Sequence, residues 1–286
     1  MRIQHNITAL NAHRNLTNNN SAVGKNLEKL SSGYRINRAG DDAAGLAISE
    51  KMRAQITGLQ TAKKNAEDGV SLVQTAEGAL TEVHSMLNRM VELATQSANG
   101  TYSAKNREEM QKEVDQLNKE IDRIGKTSNF NGTKLFDGKT ESIKLHVGEQ
   151  GTDDNQIAVT FAQLSSSNIQ GIKKDGSLDT KIDLTANAKV EDAASAKAAI
   201  TVINQAIDAI SSMRSTFGAL QNRLEHTINN LGVQRENIQA AESRIRDVDM
   251  AEEMMAYTKN NILVQASQAM LAQANQVPQG VLQLLQ

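Results

Sequence analysis

With 286 residues, a net charge of -2 and aromatics at only 2 % without tryptophan, the chain lacks the basic, ring-bearing face that nucleic-acid binding needs. It has no cysteine, which excludes disulfides, thiolate metal sites and cysteine catalysis. Average usage would supply roughly fourteen prolines; the chain has one, Pro278, so long helices can run unbroken.

Residues 1–36 read as an amphipathic helix. Ile3, Ile7 and Leu10 open its apolar face; Val23, Leu27 and Leu30 continue it. Asn6, Asn11, Asn15, Asn18, Asn19 and Asn20 are poor helix formers, so this helix should be marginal alone and gain stability by burial in an assembly. Gly33 and Gly40 frame a break. Asp41 and Asp42 follow, where a helix start favours a carboxylate as cap and as first-turn charge.

A long helix is predicted from about Ala43 to Ser97. An apolar or small residue recurs every seven positions at Leu59, Ala66, Val73, Leu80, Leu87 and Ala94. A second row lies three residues on, at Ala62, Gly69, Ala76, Val83 and Met90. Spacings of three and four sustained this far make one stripe that needs a partner helix. Asn99-Gly100 is the stop signal. A second helix is predicted from Ser103 to Ile124, with Met110, Val114, Leu117, Ile121 and Ile124 on one face, and 129–138 is rich in turn residues.

Residues 138–190 change character. Ile143, Leu145 and Val147 alternate with polar residues, as do Ile157, Val159 and Phe161, which predicts a hairpin closed by 149–154. Ser165 to Thr185 is polar, and Ser165, Ser166, Ser167 and Ser177 are expected in the most exposed stretch. The return helix starts near Val190 and should run past Ile245 to Met255 or beyond. Its row is Ile203, Ile210, Phe217, Leu224, Leu231, Ile238 and Ile245, then Ala241, Val248, Met255, Ile262 and Ala269. Val281, Leu282, Leu284 and Leu285 form an apolar tip suited to binding.

The expected fold is mainly α: a long antiparallel coiled-coil rod with helical terminal tails and a small β-hairpin excursion. The tails are 1–40 with 244–286, the rod is 41–138 with 190–243, and the excursion is 139–189. The tail rows lack a partner within the rod, so both tails are expected to order only on assembly.

Nothing in the chain points to catalysis. His5, His13, His84, His146 and His226 make no short metal spacing. Asp247, Asp249, Glu252 and Glu253 read as a solvated face opposite Arg244 and Arg246, since calcium ligands usually come from a loop with a glycine turn. There is no glycine-rich phosphate loop and no nucleophile elbow. No enzyme activity, metal or cofactor is expected. No membrane-spanning run occurs, and Met1 to Leu16 lacks the continuous apolar run of a cleaved secretory signal.

Several segments closely resemble bacterial flagellin. They are 1–7; 30–48, with Gly33, Gly40, Asp41 and Asp42; 220–231; 241–247; and the Ala/Gln-rich 265–276. Together the likeness covers roughly 1–138 and 190–286. It implies a subunit that polymerises with copies of itself into the extracellular flagellar filament for motility, the tails pairing in an inner tube. It also implies export without a cleaved signal through the flagellar type III apparatus, and contacts with filament-cap and hook-junction proteins. An export chaperone would hold the C-terminal tail, where Ile262, Leu271, Leu282 and Leu285 mark the apolar strip. Through Arg89, Leu93 and Glu113, the positions matching the family's contacts, it implies a host Toll-like receptor as partner. The alternative is a hook–filament junction protein, whose termini are related but should match these segments less well.

Overall fold

The computed structural model describes residues 6–139, 142–169 and 182–283. The protein is mainly α, with five long helices: α1 (Ile7–Ser32), α2 (Ala43–Ala98), α3 (Ala104–Thr127), α5 (Ala193–Arg246) and α6 (Met250–Gln283), plus the short α4 (Leu184–Asn187). The strands are β1 (Asn129–Phe130), β2 (Thr133–Lys134), β3 (Ser142–His146), β4 (Gln156–Thr160), β5 (Leu164–Ser165) and β6 (Asn168–Ile169), paired as three antiparallel ribbons, β1 with β2, β3 with β4 and β5 with β6. Packing divides the chain at 56/57 and 235/236, inside α2 and α5. The helix interruptions near 40 and 247 are not the dividing lines, because residues just after 42 pack with the first unit. Gly45 lies against Ile36, and Glu50 binds Arg246 at 2.7 Å.

In the unit spanning Thr57–Arg235, both heptad rows of α2 are buried from Leu59 to Ala94, and the α5 row is buried from Ile203 to Leu231. The two helices run antiparallel: the Ser97 hydroxyl donates to Val190 C=O at 2.5 Å, and Glu77 meets Arg214 at 3.5 Å. Gly69 of the second row leaves room for Leu145 of β3 and Leu224 of α5; a Cβ there would sit 2.4 Å from Leu145. In the hairpin Ile143 faces Val159 and Leu145 faces Ile157, and a short 3-10 turn at Asp153–Asn155 completes its connection. Asn131 and Gly132, both at positive φ, turn β1 into β2.

Several described residues of the segment expected to be an exposed excursion are instead part of this core. Phe161, Ala162, Leu164, Ile169, Leu184, Ala188 and Val190 are at most 2 % exposed and join the cluster formed by α2, α3 and α5. Phe161 stands edge-on to Phe136 and tilted against Phe217. Ser166 is only 2 % exposed, and its N–H donates to Asp122, as does the Ser165 hydroxyl. Partial burial works against the Asp122 charge, but these donors outweigh it and hold the carboxyl below its usual range. Ser177 lies outside the described residues.

The first unit comprises Met1–Ile56 and Glu236–Gln286. The return helix does not run through to Met255. It stops at Arg246, and α6 begins at Met250 because the Asp249 carboxylate accepts from the N–H groups of Ala251 and Glu252. Asp249 is thus a cap. Asp247 accepts from Ser243 at 2.6 Å and pairs with Tyr34 across a short bridge. The acidic cluster is the punctuation of a helix break, not simply a solvated face.

Candidate functional site

The first unit is built on an antiparallel pair of α1 and α6. Asn6 donates to Ala274 C=O at 2.8 Å, Asn19 to the Ser267 hydroxyl at 3.0 Å, and Lys29 meets Glu253 at 3.7 Å. The half-buried or buried row of α1 is Ala9, Ala12, Leu16, Asn19, Val23, Asn26 and Leu30; that of α6 is Glu253, Tyr257, Asn260, Val264, Ser267, Leu271 and Ala274. Both rows step by three and four, as a two-helix seam requires. Of the apolar row expected for α1, Val23 and Leu30 lie on this seam; of that expected for α6, Met255, Ile262 and Ala269 do not. In this structure the tails pair within one chain, through a seam that mixes leucine, valine and tyrosine with alanine, asparagine and serine.

Ile7, Leu10 and Leu27 of the expected α1 row and Met255 and Ile262 of the expected α6 row point outward. Ile7, Leu10 and Leu27 of α1 and Met254, Met255, Ile262, Leu263 and Met270 of α6 are 40–68 % exposed. Ile262 and Leu271 are not brought together: nine helical residues apart, they lie on opposite faces, Ile262 exposed and Leu271 on the seam. Leu282 falls in the last turns of α6, and Leu285 lies outside the described residues.

Asn26 is the most buried residue of α1. With its amide oriented to suit both neighbours, it donates to Ala22 C=O at 2.7 Å and accepts from Tyr257 N–H at 3.0 Å. A buried asparagine in a seam fixes register at the expense of stability. Asn26→Leu should therefore strengthen the pair by about 1 kcal/mol, as leucine burial outweighs one lost hydrogen bond. It should also admit a one-heptad slip. Oxidative cross-linking tests this: Lys29→Cys with Glu253→Cys reports the native register, and Lys29→Cys with Asn260→Cys the slipped one. No slipped product in the Asn26→Leu background would refute the assignment.

The two helix interruptions meet. Gly33 ends α1 at φ 74, its C=O accepts from Val248 N–H at 3.0 Å, and Arg35 N–H donates to Arg246 C=O at 2.7 Å. The Arg246 guanidinium lies 4.8 Å over the Tyr34 ring and binds Glu50. Arg246 holds the Glu50 carboxyl below its usual value of 4.5. A depressed carboxyl stabilises the fold above that value and loses its contribution as pH falls through the folded value, so acid loosens this joint. Asp42 accepts from Gly45 N–H at 2.9 Å at the start of α2, the N-cap position. Asp41 instead accepts from the N–H groups of Arg38 and Asn37, which lower its pKa and close the preceding turn.

Of the three residues assigned to receptor contact, two lie together on the surface of the second unit. Arg89 Nε donates to Glu113 at 2.8 Å and Arg89 Nη1 to Glu92 at 2.8 Å, tying α2 to α3. Glu113 first, then Glu92, raise the arginine's pKa. Leu93 is different: it is 2 % exposed and belongs to the core, one residue before Ala94 of the first heptad row. Among the described residues, no group of three His, Cys, Asp or Glu side chains could hold a metal ion, and no helix is long and apolar enough to cross a membrane.

Residues 3–141 match the family described as the bacterial flagellin N-terminal helical region, and residues 200–285 match its C-terminal helical region. The flagellin of Bacillus subtilis strain 168 is 53 % identical over the whole of both chains. The chain belongs to the bacterial flagellins. A 33 kDa flagellar filament core protein of Treponema phagedenis is 46 % identical, again over the whole of both chains. Among solved structures, one described as a flagellar hook-associated protein of Vibrio parahaemolyticus superposes with a TM-score of 0.60 over 72 % of this chain and all of that one. At 14 % identity that likeness concerns the fold alone. As a flagellin, the protein is a structural subunit of the flagellar filament, a component outside the cell, and not an enzyme.

Proposed function

We propose that this flagellin polymerises through the α1–α6 pair, whose outward apolar side chains become buried against neighbouring copies in the filament's inner tube. The second unit, Thr57–Arg235, has a core of its own, to which residues of 143–169 and 182–190 contribute. The supporting observation is that Ile7, Leu10, Leu27, Met254, Met255, Ile262, Leu263 and Met270 stay exposed on a pair whose own seam is filled by other residues. The double change Ile262→Glu and Leu263→Glu places charge on that face without touching the seam. It should abolish filament growth in sedimentation assays while helix content by circular dichroism stays unchanged. Normal filaments would refute the reading.

The same apolar face explains the partners before assembly. An unpolymerised subunit would carry it into premature association unless a chaperone holds the C-terminal strip around Ile262, Leu271, Leu282 and Leu285. Export proceeds through the flagellar type III apparatus without signal cleavage. The intact mass of secreted subunits tests this, since loss of an N-terminal segment would contradict it. The growing filament also meets the cap and hook-junction proteins.

A host Toll-like receptor is proposed to read the α2–α3 surface through Arg89 and Glu113, with Leu93 supporting that surface from the core. Exposed ion pairs contribute little to stability, so Arg89→Ala with Glu113→Ala should leave thermal unfolding within about 0.5 kcal/mol of wild type. Receptor activation by the monomer should fall at least tenfold. Full activation by this variant would remove the assignment.

A further inference from the structure

We propose that Met250, Met254, Met255 and Met270 are a peroxide-modified site on α6, and that their conversion to sulfoxides blocks polymerisation. The inference rests on the reading of the α1–α6 outer face as the copy-binding face. The chain has neither cysteine nor tryptophan, so the ten methionines are its most readily oxidised side chains. They are not evenly placed. Met90 and Met213 are fully buried in the second unit, at 0 % exposed. Met250, Met254, Met255 and Met270 are 49, 49, 68 and 65 % exposed, and they share α6 with Ile262 and Leu263.

The chemistry needs only a hydroperoxide. A thioether sulfur lone pair attacks one peroxide oxygen, the O–O bond breaks as the S–O bond forms, sulfur loses two electrons, and hydrogen peroxide leaves as water. The product is polar and chiral where the thioether was apolar. A sulfoxide oxygen carried into an apolar contact between copies loses its water without a matching donor. The methionines are also the flexible members of the surface, able to fit neighbours of differing shape, and oxidation removes that adaptability. Once copies cover the face, the same sulfurs lose access to peroxide. The free subunit is therefore the sensitive form and the filament the protected one.

The test starts with purified full-length monomer and hydrogen peroxide, followed by peptide mass mapping and seeded polymerisation. Sulfoxide should form first at Met250, Met254, Met255 and Met270, with Met90 and Met213 spared. The concentration needed for filament growth should rise at least tenfold. Treatment with the two methionine sulfoxide reductases and a thiol reductant should restore growth. A variant carrying leucine at all four positions should polymerise before and after peroxide alike. Should the leucine variant not polymerise, reductase rescue of oxidised wild type decides the matter by itself. Preferential conversion of Met90 or Met213, undiminished growth of converted monomer, or a leucine variant that peroxide inhibits as it does wild type would overturn the proposal. The glutamate variant at Ile262 and Leu263 separates the two ideas. If it polymerises, the face assignment falls; if it does not, while converted wild type still polymerises, only the oxidation site falls.

Discussion

Deleting residues 1–40, or residues 250–286, should leave a folded helical protein that forms no filaments at any accessible concentration. Each deletion removes one partner of the α1–α6 pair and leaves the other helix without its seam and with only its own part of the outer face. The eight outward apolar side chains are already about half exposed in the free chain, so covering each gains on the order of 1 kcal/mol. Losing several kcal/mol of subunit contact weakens association by a factor on the order of a thousand or more. The second unit keeps its own core, with Leu80, Leu87, Met90, Ile210 and Phe217 untouched. Its cooperative melting should therefore persist. Electron microscopy after salting out reads the first outcome and calorimetry the second. Filaments from either truncation would show that the pair is dispensable. Loss of the main thermal transition would show that the second unit depends on it.

Phe161→Ala should destabilise the second unit by about 3–5 kcal/mol, the range for emptying a buried aromatic site. Phe161 is 1 % exposed, with ring centroids 6.1 Å from Phe136 and 5.7 Å from Phe217. Removing it breaks two ring contacts at once and opens a void between α5, the hairpin and the turn after β2. Chemical denaturation should show a lower midpoint with an unchanged slope. A shift below 1 kcal/mol would mean that the 139–189 segment contributes little to the core.

That second result bears on what the sequence made legible. The rows from Leu59 to Ala94 and from Ile203 to Leu231 were readable because a long helix repeats its burial every three and four residues. The β3–β4 hairpin was readable from alternation alone. Between Phe161 and Val190 the sequence carried no comparable signal. Leu164 and Ile169 enter the core singly from two-residue strands and Leu184 from a single helical turn, and isolated apolar residues in a polar stretch look like a solvated loop. The break at 247–249 did leave a trace: Asp249-Met250-Ala251-Glu252 is a cap followed three residues later by a glutamate. The α1–α6 seam was hidden for the opposite reason. Its leucines and valines are interleaved with alanine, asparagine and serine, while the conspicuous Ile7, Leu10, Met255 and Ile262 serve the outside. Leu93 shows the same limit in miniature, since similarity to a family motif can assign a role without telling which side of a helix meets solvent.

The contacts that join α1 to α6 also impose an order of events. Asn6 with Ala274 and Asn19 with Ser267 are separated by 268 and 248 residues of chain. Contacts so remote in sequence form late, after nearer ones have shortened the loop between them. On the ribosome the partner of the first helix is among the last segments made, so α1 must emerge and wait while everything between is synthesised. A nascent chain stalled before Met250 holds a complete second unit and an N-terminal helix without its mate. Its pairing side carries Leu16, Val23 and Leu30 beside alanine and asparagine, so the waiting helix leaves those apolar side chains uncovered until its mate is made. Its completion is timed by the end of translation.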